Sequence, residues 1–426
     1  MARFIIHGGR RLCGTHRVAG NKNAVLPMLA ACVLTDEPVT LTNVPLIEDV
    51  LTMLEILSDL GVGVNLRGHT VELCAATLRR TRLNPVLCRR VRSSILFAGP
   101  LAARHGRASL DPPGGDVIGR RRLDTHFEGL QQLGVVVEGG PRQRFVLRRQ
   151  QLHAANILLD EASVTATENL VMAAVLAPGR TTLFNAACEP HVQDLCRMLN
   201  AMGARISGIG TNYLKIEGVE RLRGARRRVA PDAIEAASFL AAAAVTGGDL
   251  QIEHAPAELT EVIARPLRKL GLQWTLENGA LRLPANQRLR VSRDLGAVVP
   301  KIEDGPWPNF PSDLMSVSIV LATQARGSVL FFEKMFESRM YFVDRLIEMG
   351  ARIVQCDPHR VVVEGPSHLH GSHMSSPDIR AGMALLVAAL CAKGESVIEN
   401  AQSIDRGYER VEQKLRRLGA DIVRVA

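Results

Sequence analysis

Aromatic residues are scarce, at 4% of the 426-residue chain. That is too few for the stacking surface on which single-stranded nucleic acid binds, and the basic residues are spread along the sequence rather than gathered in a stripe. The net charge of +9 therefore points to small anionic ligands. The cysteines (Cys13, Cys32, Cys74, Cys88, Cys188, Cys196, Cys356, Cys391) form no C-x-x-C pair, and no histidine cluster has zinc spacing. Neither a metal site nor a disulfide framework is expected, and these are read as reduced, mostly core thiols. No apolar run approaches the roughly 20 residues that span a bilayer, and the opening Met1 to Gly8 is too short in apolar length for a signal peptide. A soluble, cytoplasmic protein without metal or cofactor is the expectation. Lysine is also rare, since nearly all the basic set is arginine, so a lysine in a special context carries more information.

What is present is a repeat. A helix ending in Leu-Gly or Met-Gly recurs at Leu60-Gly61, Leu133-Gly134, Met202-Gly203, Leu270-Gly271, Met349-Gly350 and Leu418-Gly419, a period of roughly 70 residues. Each such helix is amphipathic, as in Val192, Leu195, Leu199 and Met202, and its glycine fits a left-handed cap. After each of the first five caps come two short alternating strands. The sixth copy breaks off after Ile422-Val423-Arg424-Val425, and Phe4-Ile5-Ile6 is the candidate for its missing partner. A second, Ala-rich helix precedes each amphipathic one: 24–33, 93–103, 169–176, 234–245, 314–323 and 379–392. These are apolar nearly all round, which marks buried helices. With 46% hydrophobic residues and this length, two cores of three units each are expected. An elongated solenoid is the alternative that a fixed period allows.

Three stretches carry chemistry on residue grounds. Gly20-Asn21-Lys22-Asn23-Ala24-Val25-Leu26-Pro27 sets a lysine just before a buried helix, where helix N-terminus and cation together favour a phosphate or carboxylate; a solvated lysine beside a cap is the plain alternative. The run from Pro112 through Gly114-Gly115-Asp116 to Arg120-Arg121-Arg122 and His126 has the composition of a flexible loop that closes over an anion, or of an exposed turn. Asn309-Phe310-Pro311-Ser312-Asp313 places an aspartate where it either caps the next helix or faces a ligand.

Together with Arg92-Ser93-Ser94-Ile95, Glu189-Pro190, Met335-Phe336-Glu337-Ser338-Arg339, Asp378-Ile379-Arg380-Ala381 and Ile404-Asp405-Arg406-Gly407-Tyr408-Glu409-Arg410, these stretches resemble, in order and spacing, the motifs of the enolpyruvyl transferase family. The resemblance covers the whole chain. It implies an α/β protein of two inside-out α/β barrel domains, six repeats with three per domain. One domain is 22–230 with a mobile catalytic loop at 112–126; the other is 1–21 plus 231–426, closed by the N-terminal strand, with the active site in the cleft between them. It also implies transfer of the enolpyruvyl group of phosphoenolpyruvate to a uridine sugar nucleotide, foremost the 3'-hydroxyl of UDP-N-acetylglucosamine in peptidoglycan precursor synthesis. By the same resemblance Lys22, Arg121, Arg380 and Arg406 clamp phosphoenolpyruvate, and Asn23 joins Lys22 in contacting it and the acceptor. Arg92, Met335 and Arg339 belong to the substrate site. Arg121, Arg122, Leu123, Asp124 and Thr125, with Ser163 and Val164, form the uridine stretch.

Most members carry cysteine where this sequence has Asp116. Either group can protonate the methylene carbon, provided the carboxyl holds its proton when substrate is bound. Asp313 is implied as the base for the sugar hydroxyl, and Lys22 and Arg406 complete the catalytic set. Because fosfomycin alkylates the loop thiol of cysteine-bearing members, the resemblance implies fosfomycin resistance here. Glu161, Thr165 and Ala233 depart from the lysine, glycine and arginine usual in the family. Those departures leave open another uridine nucleotide in secondary metabolism, such as uridine monophosphate, or a non-catalytic nucleotide-binding paralogue. The shikimate branch, whose lysine is followed by serine, fits Asn23 less well.

Overall fold

In the computed structural model, which describes residues 2–116, 118–140, 143–256, 259 and 261–426, all six helix-ending glycines are left-handed, with φ between 89° and 103°. A Cβ is disfavoured there, so each glycine ends its helix and turns the chain into the hairpin that follows.

The Ala-rich segments form α1 (Lys22–Ala31), α2 (Ala98–His105), α3 (Val164–Ala174), α4 (Ala233–Val245), α5 (Met315–Gln324) and α6 (Ile379–Cys391). Small residues let these helices approach closely, and nearly every side chain of α4 and α6 is buried. Two boundaries differ from the sequence reading. The second segment begins as a 3-10 turn at Arg92–Phe97 before α2, whose first turn holds Gly99 and Pro100. The third starts at Val164 rather than near Asn169, because Thr167, Glu168 and Asn169 are polar yet lie inside a buried helix.

The chain divides into two compact units. The first comprises Gly20–Asp116 and Arg121–Ala230; the second comprises Met1–Ala19, Val117–Arg120 and Pro231–Ala426. Each has its own hydrophobic core. In the second unit α4, α5 and α6 each pack on the other two, a closed triangle that a linear solenoid does not make.

Each unit carries three sheets built on one pattern. In the first unit, for example, Arg226–Arg228 runs parallel to Val39–Thr42, followed by antiparallel Thr70–Cys74 and Gly63–Arg67. One sheet, of Arg107–Leu110, Phe145–Arg149 and Val135–Glu138, has three strands, its parallel edge reduced to a bridge between Arg82 and Ser109. The last sheet is completed by the N-terminal strand β1 (Arg3–His7), which lies antiparallel between Glu395–Glu399 and Asp421–Val425, with Ile5 opposite both Val397 and Val423. The broken sixth repeat is thus closed by the other end of the chain.

No disulfide is formed. Only Cys32, Cys88 and Cys196 are buried, which corrects the expectation of mostly core thiols. No helix among the described residues is long and apolar enough to cross a membrane.

Candidate active site

The candidate residues fall into two sets, one on each unit. In the first unit, the side chain of Asn21 accepts from the amide of Ala24 and caps α1. That cap places Lys22 at the first position of the helix. Gly20 is required just before it, since a Cβ there would meet the main-chain oxygen of Asn43 at 1.8 Å. Lys22 is buried, not solvated, and its Nζ lies 2.8 Å from Oδ2 of Asp49, itself buried at the start of helix Glu48–Leu60. Asn23 follows, half-buried.

Arg92 opens the 3-10 turn against which α1 packs. The paired glycines are laid against the same region. The amide of Gly114 donates to the carbonyl of Cys88 at 3.0 Å, and Cβ atoms on Gly114 and Gly115 would meet the Arg89 carbonyl oxygen at 1.8 Å and the Arg92 Cβ at 2.8 Å. This contact sets Asp116, half-buried, one residue beyond the turn. Val117, within the same loop, lies outside the described residues. Ile118, Gly119 and Arg120 group with the second unit: the Arg120 amide donates to Oε2 of Glu337 at 3.0 Å, and the Ser338 amide to the carbonyl of Ile118 at 3.2 Å.

Arg121 rejoins the first unit, its carbonyl accepting from Nη2 of Arg92 at 2.7 Å. Burial, and then the charge of Arg121, lower the Arg92 guanidinium to about 10. Two neighbouring cations with one partly desolvated form a field that an anion relieves. Beyond them, Leu123 precedes helix Asp124–Gln132. The Thr125 hydroxyl donates to Asp160 at 2.6 Å, and Arg122 bonds both Asp124 (3.0 Å) and Asp160 (2.7 Å). Thr125 first, and Arg122 after it, hold the Asp160 carboxyl below its ordinary range. These bonds tie the 121–125 stretch to the segment ending in Ser163 and Val164, where α3 begins. The first-turn amides of α3 lack intrahelical acceptors, as at any helix N-terminus.

Sequence reasoning missed the support behind this stretch. Oδ1 of Asn169 accepts from the amide of Gly99 at 2.8 Å, which identifies its other atom as the amide nitrogen. That nitrogen donates to the Ile95 carbonyl (2.8 Å) and to Nδ1 of His126 (2.9 Å). His126 Nδ1 is therefore the acceptor, and its Nε2–H donates to the hydroxyl of Thr165 at 3.1 Å. Burial and the charge of Arg92 push His126 down to about 3, so the ring stays neutral and this single tautomer persists. Asn169→Leu removes three buried hydrogen bonds and strips the Gly99 amide and His126 Nδ1 of this partner, while the Ile95 carbonyl keeps the Ala98 amide. It is expected to cost about 2 to 5 kcal/mol in urea unfolding, whereas a loss under 0.5 kcal/mol would contradict the network.

In the second unit, Asp313 lies in the 3-10 turn Ser312–Leu314 ahead of α5. Its carboxylate faces two buried arginines. Oδ1 takes Nη2 of Arg339 at 2.8 Å, and Oδ2 takes Nη2 of Arg380 at 2.7 Å. Arg380 is set by its own helix, because Asp378 caps α6 through the amides of Arg380 and Ala381. Its guanidinium lies over the Tyr408 ring, and against the pull of burial Asp313, Tyr408 and Asp232 keep its proton tightly bound. Asp232, which caps α4 and faces this arginine, is a further polar neighbour that the sequence did not single out. Arg339 Nε, Arg339 Nη1 and Arg380 Nη1 are buried with no acceptor among the described residues. Buried donors on a charged group call for acceptors from ordered water or a bound anion. Met335 is half-buried at the start of the Arg339 segment, and Arg406, also half-buried, ends the short helix Gln402–Asp405, whose Asp405 pairs with Arg424.

Residues 6–415 match the EPSP synthase (3-phosphoshikimate 1-carboxyvinyltransferase) family. The UDP-N-acetylglucosamine 1-carboxyvinyltransferase of Treponema denticola is 52% identical, with 99% of each chain covered. The protein of that name from Bradyrhizobium diazoefficiens is 53% identical over 99% of this chain and 98% of its own, and that of Borreliella burgdorferi 50% identical over 100% and 99%. Among solved structures, the enolpyruvyl transferase NikO from Streptomyces tendae aligns with a TM-score of 0.88 at 24% identity, covering 100% of this chain and 99% of its own. EPSP synthase from Acinetobacter baumannii aligns at 0.79 and 19%, covering 100% of both. At those identities the two structures speak to the fold alone, the two-domain inside-out α/β architecture. Matched over nearly its whole length, the chain belongs to the EPSP synthase (3-phosphoshikimate 1-carboxyvinyltransferase) family of enolpyruvyl transferases.

Proposed function

We propose that this chain transfers the enolpyruvyl group of phosphoenolpyruvate to the 3'-hydroxyl of UDP-N-acetylglucosamine with release of phosphate, a step of cell-wall precursor synthesis. The observation that carries the anion chemistry is the pair of buried arginines on Asp313, which retain donors without acceptors among the described residues. The choice of acceptor rests on the kinship over the full chain with proteins of that name. Arg122, bonded to Asp160, also brings a cation to the segment where Glu161 stands.

The reaction needs an acid, a base and fixed positive charge. Asp116 delivers a proton to the methylene carbon C3, which makes C2 electrophilic. The sugar oxygen bonds to C2 while its proton passes to the Asp313 carboxylate, which Arg339 and Arg380 hold in place. The tetrahedral adduct then returns a proton from C3 to Asp116 as its C2–O bond to phosphate breaks, and the phosphate takes up the proton held by Asp313, leaving the enol ether and inorganic phosphate. Lys22, Arg121, Arg380 and Arg406 bear the carboxylate and phosphate charges, and charged donors in a desolvated site keep that role without reorganising. Asn23, Arg92, Met335 and Arg339 line the substrate, and 121–125 with Ser163 and Val164 take the nucleotide.

The test is phosphate release from phosphoenolpyruvate with a panel of acceptors. Turnover with UDP-N-acetylglucosamine and none with shikimate 3-phosphate is expected; preference for uridine monophosphate would replace the acceptor while keeping the chemistry. Lys22→Ala is expected to lower kcat/KM by roughly tenfold to a few hundredfold, the weight of a charged hydrogen bond of about 1.5 to 3 kcal/mol. It also removes the cation that faces buried Asp49, so the double variant Lys22→Ala/Asp49→Ala should regain stability but not turnover. Recovery of turnover in the double variant would make Lys22 purely structural.

A further inference from the structure

Behind Asp313 lies a second pair of carboxyl groups that the reaction does not use. Asp304 and Glu333 are 1% and 0% exposed. Asp304 follows strand Lys301–Glu303, and Glu333 follows the adjoining strand Gly327–Phe332. Each bonds to a segment that carries part of the candidate site. The Ser312 hydroxyl, next to Asp313, stands 2.8 and 3.0 Å from the two oxygens of Glu333. Oδ1 of Asp304 accepts the amide of Lys334, next to Met335, at 2.5 Å. Oδ2 of Asp304 is buried and receives no donor among the described residues, and Glu333 lies beside Asp304, whose amide donates to the carbonyl of Phe332 at 3.3 Å.

Two carboxylates cannot both be charged at this depth without a cation between them. A proton on Glu333 supplies the missing donor to Asp304 and removes one charge. Ser312 then donates to the other oxygen of Glu333, and a continuous chain runs from Ser312 through Glu333 and Asp304 to the amide of Lys334.

We propose that Asp304 and Glu333 share one proton, and that this acid pair is a positioning device: it fixes the turn bearing Asp313 against the segment bearing Arg339, and so sets the Asp313–Arg339 contact. Neither residue touches the reacting atoms; they act through Ser312 and Lys334. The charged and titratable groups around the pair are few. Arg339 acts on Glu333 across the space it shares with Asp313. His359 bonds the main-chain carbonyl of Glu333 through Nδ1 and accepts its amide. Lys334 turns its ammonium away to Glu303, which also holds Lys301. Burial, and then Asp304, push the Glu333 carboxyl up to about 9. Loss of that proton would leave two like charges in contact and loosen the contact they maintain.

The inference rests on the proposed reaction for its kinetic test and is independent of it for its structural one. In wild type, kcat should fall at the alkaline side with a midpoint near pH 9. Glu333→Gln replaces the shared proton with an amide N–H that cannot dissociate. This variant should keep kcat at pH 7 within about threefold, by the usual mildness of an isosteric swap, and lose that alkaline limb; Asp304→Asn should lose it as well. Glu333→Ala, which breaks the chain, should lower kcat at every pH. The structural readout is Trp307, which lies between Asp304 and Asp313 in sequence. In a Trp274→Phe background its fluorescence should change through the same midpoint, and should stay flat across it with Glu333→Gln. A wild-type kcat flat to pH 10, or the same limb in Glu333→Gln, overturns the proposal. If phosphoenolpyruvate and UDP-N-acetylglucosamine give no turnover at any pH, the reaction assigned above fails, and the Trp307 titration alone decides the pair: a flat wild-type signal overturns it, and a transition abolished by Glu333→Gln upholds it.

Discussion

Asp116→Ala is expected to lower kcat for phosphate release by roughly 100- to 10,000-fold, the range that a positioned general acid supplies. Asp116→Asn should fall as far, since an amide has no proton to give to carbon, whereas Asp116→Cys should remain active. The paired glycines tie the loop to Cys88, Arg89 and Arg92, so the position of residue 116 is set by main-chain contacts that none of these substitutions disturbs. The three variants therefore vary the acid while leaving its support intact. They also separate proton transfer from nucleophilicity. A thiolate opens the fosfomycin epoxide readily and a carboxylate poorly, so wild type should turn over undiminished in fosfomycin and Asp116→Cys should show time-dependent inactivation. An Asp116→Ala enzyme as active as wild type would remove the residue from the reaction. Covalent fosfomycin on wild-type Asp116 would overturn the resistance.

Asp313→Ala should show the second large effect, in both stability and rate. The substitution removes the carboxylate shared by Arg339 and Arg380, each about 7% exposed or less. Stripping one partner from a buried ion pair typically costs about 3 to 5 kcal/mol. A lowered urea midpoint is therefore expected together with a fall in kcat of roughly 100- to 10,000-fold. Asp313→Asn retains an oxygen for one arginine and should recover part of the stability without the rate. If Asp313→Ala were stable and slow, the aspartate would be a base whose arginine contacts carry little energy. If it were unstable and fast, the role would be structural only.

The fold was legible wherever the signal is local. Helix-ending glycines, apolar helices and alternating strands are written within a few residues of one another, and the count of three units per core follows from them. Even the pairing of Phe4 and Ile6 with the final strand was suggested by a repeat that lacked a member. Motif order singles out Lys22, Asp116, Asp313 and Arg380, and of these the structure brings Arg380 onto Asp313. What stayed hidden were partners brought in from far along the chain. Asn169 reaches Gly99 and His126 across 70 and 43 residues, and Glu333 reaches Ser312 across 21, with no periodicity to announce either. Glu168 and Asn169 pulled the helix boundary the wrong way because buried polar residues look, in a sequence, like the end of a core.

The strand formed by residues 3–7 has a consequence for synthesis. It leaves the ribosome long before both strands it pairs with, 395–399 and 421–425. The first unit is complete once residue 230 has emerged, and its sheet of 226–228 on 39–42 closes without anything downstream. Phe4 and Ile6, fully buried in the finished protein, must meanwhile wait in water for most of translation. An early strand held open for a late partner is an aggregation hazard and slows closure. Topology thus sets an order of availability: the unit of 20–116 and 121–230 can close before the strand at 3–7 meets 395–399 and 421–425.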